Sequence, residues 1–138
     1  MYLLDTNVIS EMKRIKSGKA NQGIVNWLYG KPTALLYTCE IVVMELQRGI
    51  LLKERKDPVQ AHHLKLWLDE ILATMFENRI LTIDKRTTQL CASFHVPNPR
   101  PENDTWIASI AKANELILVT RNIKDFQDLP IKVINPFS

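Results

Sequence analysis

The sequence predicts an α/β fold, a mostly parallel sheet with helices on both faces in three layers. Three observations predict it. Short apolar runs alternate with longer stretches of helical spacing along the chain, which is the pattern of strands joined by crossover helices. Acids stand where these elements meet: Asp5 follows Leu3-Leu4, Asp125 lies past Ile117-Leu118-Val119, and Asp104 opens the helix-like run Trp106-Ile107-Ala108. Open α/β sheets bind ligands beyond the carboxyl ends of their strands. Finally, 138 residues with 46% hydrophobic content suit one domain spanning 1–138, large enough to bury roughly 68–70% of its unfolded surface.

Tyr2 to Leu4 reads as a short buried strand cut off at Asp5, and Thr6 to Met12 as a first helix. Lys13 to Gly18 is polar and basic, a loop. Ile24, Trp27 and Leu28 share one face of a helix that ends at Gly30 before Pro32, since neither residue continues a helix well. Leu35 to Thr38 is a second strand, and Ile41 to about Lys53 a helix with a dense apolar start. Asp57-Pro58 starts the next helix, because proline's missing N–H is no loss at the first helical position. The 3-and-4 spacing of Leu64, Trp67, Leu68, Ile71, Leu72 and Met75 carries that helix to about Asn78. Ile80 to Ile83 is a strand, and Asp84 caps a helix from about 86 to 95. Pro97, Pro99 and Pro101 stiffen an extended loop. A helix from about Asp104 to Asn114, a strand from Leu116 to Val119 and a last strand from Lys132 to Ile134 complete the chain. The successive helices 41–53 and 58–78 break the simple alternation. They present more apolar surface than one sheet covers, which points to a homodimer face.

The formal charge is +3, from 18 Lys and Arg against 15 Asp and Glu. If four acids share one site, the remaining surface is more basic than this total, which favours an anionic substrate. Cys39 and Cys91 show no motif spacing, as in a reducing cytoplasmic setting. The apolar start is too short for a signal peptide, and no run approaches the ~20 apolar residues of a membrane helix.

Singly, each acid has an ordinary explanation. Asp5 and Asp104 suit helix starts, where a carboxylate caps free N–H groups and complements the dipole. Asp125 suits a turn, and Glu45 suits an i,i+3 pair with Arg48. Brought together, they call for a cation. Four close carboxylates repel and raise one another's pKa, and hard divalent ions take oxygen ligands. Asp84 is set apart, because a helix cap explains it fully.

These motifs carry a family resemblance. Leu3-Leu4-Asp5-Thr6-Asn7-Val8-Ile9-Ser10 resembles the opening of PIN-domain proteins. Val43-Met44-Glu45-Leu46-Gln47-Arg48-Gly49 resembles their second motif, Asn103-Asp104-Thr105-Trp106-Ile107-Ala108 the third, and Val119-Thr120-Arg121-Asn122-Ile123-Lys124-Asp125-Phe126 the fourth. Val133-Ile134-Asn135-Pro136 resembles the usual ending. The match covers nearly the whole chain in order and is strongest to the VapC toxins of bacterial toxin–antitoxin pairs, within them to FitB-like members. The resemblance implies a three-layer α/β/α fold, a Mg²⁺- or Mn²⁺-dependent endoribonuclease, a homodimer, and a VapB-like antitoxin that blocks the active site. It carries over Asp5, Glu45, Asp104 and Asp125 as metal-site acids, and Thr6, Asn7, Thr120 and Asn122 as supporting polar residues. One departure is the stretch His95 to Pro101, shorter and richer in proline than is common, which bears on the shape of the substrate entrance.

Mg²⁺ keeps several waters and takes only one or two carboxylates directly. Asp5 and Asp104 are therefore the expected metal ligands, with Glu45 and Asp125 acting through water or on a second ion. The supporting polar residues would orient carboxylates and waters. RNA phosphates need basic partners, and Arg14, Arg48 and Arg121 are the foremost candidates, with Lys13, Lys16 and Arg100 beside them. Trp27 and Trp106 suit core packing better than base stacking, and His62, His63 and His95 lack a metal-ligand pattern. Three rival readings remain, of which a structure-specific DNA nuclease would carry more acids and extra helical parts than this short chain has. A haloacid-dehalogenase-like phosphatase needs a second Asp two residues after the first, where this chain has Asn7. A catalytically inactive, RNA-binding PIN-like domain normally loses acids, and all four are present here.

Overall fold

The computed structural model describes all 138 residues. β1 (Tyr2–Leu4) runs into α1 (Thr6–Met12), and α2 (Gln22–Tyr29) follows a basic loop. β2 (Leu36–Cys39) passes directly into α3 (Glu40–Glu54), which α4 (Pro58–Ala73) follows. Then come β3 (Ile80–Leu81), α5 (Lys85–Phe94), α6 (Glu102–Ala113), β4 (Ile117–Val119), a 3₁₀ turn at Ile123–Asp125, and β5 (Val133–Ile134). The five strands are all parallel, in the order β3-β2-β1-β4-β5. Helices cover both faces, as a sheet of apolar strands such as Leu3-Leu4 and Leu118-Val119 requires; these four side chains are fully buried.

Strand order places the site. From β1 the chain steps outward to β2 and β3, then returns to lay β4 on the other side of β1. Connections leave in opposite directions at that point, which opens a crevice at the carboxyl ends of β1 and β4. Asp5 follows β1, and Thr120 follows β4.

Among the boundaries that differ from the sequence expectation, three have a clear structural consequence. α4 ends at Ala73, not Asn78. The Thr74 hydroxyl bonds back to Glu70 O at 2.8 Å, a pairing that bends helices, and Phe76 N–H reaches five residues back to Ile71 O at 3.2 Å. Arg79 then donates to the carbonyls of Met75 and Leu36, so a basic side chain from outside the helix closes its end. α6 begins at Glu102, which puts Asp104 inside the first turn and leaves Pro101 at the cap. β3 is two residues long rather than four.

Trp27 packs edge-on against Tyr2 with ring centroids 5.0 Å apart, so it belongs to the packing as expected. Cys39 and Cys91 are free and buried. No helix is long and apolar enough to cross a membrane. Leu51, Leu52, Val59 and Leu66 stay more than half exposed on the α3–α4 hairpin.

The C-terminal residues dock on the start of α2. Asn21 Oδ1 caps that helix, accepting from the N–H groups of Gly23 and Ile24, and also accepts from Ser138 N at 3.0 Å. A Cβ at Gly23 would lie 2.3 Å from Pro136 O and 2.6 Å from Ser138 N. Both are backbone atoms that cannot rotate aside. Gly23→Ala is therefore expected to destabilise the fold by about 1–3 kcal/mol, read as a lowered urea midpoint. An unchanged midpoint would show that this closure contributes nothing.

Candidate active site

Asp5 is both a helix cap and the centre of a buried polar network. Its backbone N–H continues the β1–β4 ladder to Val119 O at 3.0 Å, which fixes its side chain at the crevice. Oδ1 accepts from Thr6 N at 2.8 Å, capping α1. Oδ2 accepts from the Thr120 hydroxyl at 2.8 Å. Thr120, fully buried, in turn accepts from Asn7 Nδ2 at 3.2 Å and Asn122 N at 3.1 Å, and Asn7 Oδ1 accepts from Arg121 N at 3.0 Å. Asn7 and Thr120 thus lock the loop after β4 onto the start of α1. Asn122 contributes its backbone N–H to this network.

Glu45 lies on α3 and points back to α1 and α6. Oε1 accepts from the Thr6 hydroxyl at 2.6 Å, and Oε2 from Asn103 Nδ2 at 3.2 Å. The i,i+3 pair with Arg48 does not form; Arg48 sits in none of the ion pairs and is exposed. Asn103 is the functional residue that reasoning from sequence missed. Its signal was present, since it stands directly before Asp104 in the third motif, but only the fold aims its amide at an acid 58 positions away.

Asp104 and Asp125 complete the group. Burial is the main cause that pushes the Asp104 carboxyl up to about 6, and the charges of Asp5, Asp125 and Glu45 add to it. Asp5 is also raised, first by burial, against the opposing bonds from Thr120 and Thr6, with Glu45 and Asp125 contributing. No Lys or Arg figures among the groups that shift either acid. Four carboxylates, from the cap of α1, from α3, from α6 and from the turn after β4, therefore share one electrostatic environment. An all-oxygen, anionic donor set of this kind fits a hard divalent ion. Asp84, by contrast, is exposed and caps α5, accepting from the Thr87 N–H and hydroxyl, as its place before that helix predicts.

The basic candidates divide. Arg14 lies 3.5 Å from Glu11, the Arg121 guanidinium stacks 4.0 Å over Phe137, and Arg48 is unpaired at the surface. Arg100 forks onto Asp128 and donates to Phe94 O, so it clasps the proline loop to the chain after the 3₁₀ turn. A second cluster, Cys91, His95 and Glu102, places one possible ligand atom each within 4.8 Å of the others. His95 Nδ1 accepts from Arg100 N at 3.1 Å, which leaves the imidazole proton on Nε2, the nitrogen facing Glu102 at 3.5 Å. A protonated nitrogen does not ligate a metal, so this trio reads as part of the same clasp.

A family profile for the PIN domain matches residues 2–132. The chain belongs to the PIN-domain family. Several relatives match over half or more of the chain. Plasmid stability protein StbB of Pseudomonas syringae pv. tomato is 34% identical, covering 99% of each chain. Ribonuclease VapC14 of Mycobacterium tuberculosis is 33% identical over 54% of this chain and 70% of its own. Toxin FitB of Neisseria gonorrhoeae is 30% identical over 99% of both. A chain of the crystal structure of FitAcB from the same organism superposes with a TM-score of 0.87 at 30% identity, over 99% of this chain and 98% of that one. The PIN fold explains why four motifs so far apart in sequence converge. Each acid of this PIN domain sits at the carboxyl edge of the sheet or on a helix that starts there.

Proposed function

We propose that this PIN domain, a single unit over 1–138, is a Mg²⁺- or Mn²⁺-dependent endoribonuclease toxin of the cytoplasm, kept silent by a cognate antitoxin. The observation that carries this reading is Asp104, whose carboxyl is pushed up to about 6 first by burial and then by the charges of Asp5, Asp125 and Glu45. A site that buries one acid among three others suits a cation and the anionic backbone it would neutralise. The likeness to Ribonuclease VapC14 and Toxin FitB supports the reaction and the toxin role. The likeness to a FitAcB chain supports a partner chain. The exposed leucines of α3 and α4 suit a homodimer face.

When bound, a divalent ion would supply a water of lowered pKa and neutralise charge at the scissile phosphate. Asp5 and Asp104 would hold it. Asp5 is pinned by Thr6 N–H and the Thr120 hydroxyl, so little reorganisation is needed on binding. Thr6 and Asn103 fix both oxygens of Glu45, which suits it to orient a water instead of moving onto the substrate. Asn7 has both ends of its amide engaged and no acidic proton to transfer, so it cannot replace the general acid of a phosphatase. Against an inactive RNA-binding domain stands the intact set of four acids.

Cleavage of a mixed RNA pool is expected in Mg²⁺, to stop in excess EDTA, and to resume when Mg²⁺ or Mn²⁺ is restored. Cutting that persists in excess EDTA removes the metal from the reading. No cutting in Mg²⁺ by antitoxin-free protein favours the inactive alternative.

A further inference from the structure

Gly49 is a glycine that the fold itself does not require. It sits inside the 15-residue helix α3, where glycine is unfavourable relative to alanine. Its φ is not positive, and a Cβ built on it would meet nothing within 4 Å. No turn and no neighbouring element asks for the missing side chain. What Gly49 does is form the wall of a cleft of about 400 Å³ that begins at Thr6 and Glu45 of the acid site. Trp67 and Leu64 of α4 line the same cleft, with Gln60, Lys13 and Lys53. A second depression of about 310 Å³ shares Lys13, Gln60, Leu64 and Trp67 and leads on to Arg14. The groove thus runs from the carboxylates past an indole, between lysines, to an arginine.

We propose that this groove is a nucleotide subsite for single-stranded RNA, in which a base leaves the stack to lie on Trp67, Gly49 keeps the floor flat for it, and Lys13 and Lys53 hold the flanking phosphates. The proposal rests on the ribonuclease reading for its substrate class. Three features select this occupant. Lysines set beside an aromatic face are how proteins hold single strands without reading sequence. A paired base could not reach the indole. The cleft is continuous with Glu45, so a nucleotide in it would sit next to the phosphate to be cut. Glycine where a ligand approaches a helix backbone is the expected choice.

The test is equilibrium binding of a fluorescein-labelled, unstructured RNA octamer in EDTA, beside cleavage kinetics in Mg²⁺. Gly49→Leu and Trp67→Ala are each expected to weaken binding about tenfold and to raise KM with little change in kcat, with Trp67→Phe restoring most of the loss. Gly49→Leu fills open space in a helix, so it should melt at or above the parent temperature. Lys13→Glu with Lys53→Glu, both exposed, should reduce the slope of log Kd against log salt by about 1.4, some 0.7 for each phosphate lost. Unchanged Kd and KM in Gly49→Leu and Trp67→Ala would overturn the subsite while the nuclease stands; a groove that seats protein instead gives this result. Weakened binding in the variants of a parent that never cuts RNA would keep the subsite and remove the nuclease.

Discussion

Asp5→Asn is expected to abolish RNA cleavage and leave the fold intact. The substitution keeps shape and removes charge. Asn caps helices as well as Asp does, so one side-chain oxygen can still accept from Thr6 N–H, as Asp5 Oδ1 does at 2.8 Å. The Thr120 hydroxyl already accepts from Asn7 Nδ2 and Asn122 N–H, so it has no lone pair left for the amide nitrogen that replaces Oδ2. Stability should fall by about 1 kcal/mol, because the unmet bond at Thr120 is partly offset by removing a charge that burial already disfavours. Cleavage should fall on the order of 10³-fold, the scale of losing one preorganised charge-stabilising group. Asp5→Ala separates the two roles. It removes the cap and leaves the buried Thr120 hydroxyl without its acceptor, so it should lose about 2 kcal/mol as well as activity. Single-turnover cleavage in Mg²⁺ and urea unfolding measure both. An Asp5→Asn protein that cuts as fast as the parent would take Asp5 out of the metal site.

Asp104→Asn is expected to silence the enzyme and, without metal, to make it more stable. The sign follows from the raised carboxyl. In the folded chain Asp104 titrates at about 6, against an ordinary value of 3.8. Between those values the folded state binds more protons than the unfolded one, so stability falls as pH rises through this window and stays lowered above it. Asn removes the charge that is disfavoured. Asp104 is only half-buried, so solvent screening trims the gain to about 1–2 kcal/mol at neutral pH. The advantage of the variant should shrink as pH falls below about 6 and disappear near 3.8, as the parent takes up its proton. Mg²⁺ should raise the melting temperature of the parent much more than that of the variant, because a ligand stabilises only the state that binds it. Melts in EDTA and in Mg²⁺ across this range decide the matter. Equal stability of the two proteins at every pH would show that neither burial nor like charge raises the Asp104 carboxyl.

Both predictions concern residues that the sequence marks by position alone. Asp5 is legible because an apolar strand stops at it, and a strand end in an α/β sheet is where ligands bind. Asp125 is legible for the same reason. Glu45 stood out as an acid among Val43, Met44 and Leu46, yet its partner could not be read. Local spacing offers Arg48, and the fold offers Thr6 and Asn103. Arg100 was a sound candidate for phosphate until the chain near Asp128 came back beside it. The end of α4 was missed because apolar spacing continues through Met75, while the bend there is set by Thr74, by Arg79 and by the carbonyl of Leu36. Gly49 closes the second motif, but nothing in its neighbours along the chain says that the helix face it leaves flat borders a cleft.

What the sequence by itself determined is the alternation of strands and helices, hence a parallel sheet, and the identity of the four acids. Both depend on local order: periodicity decides each element, and strand ends mark where polar residues gather. Only the tertiary structure decided which acids share a field, which hydroxyl and amide groups orient them, and which bases remain free. Those are matters of distance between residues as far apart as Asp5 and Thr120, whose hydrogen bond spans 115 positions. Such a contact exists because β1 and β4 lie side by side in the sheet, and no pattern along the chain encodes that distance.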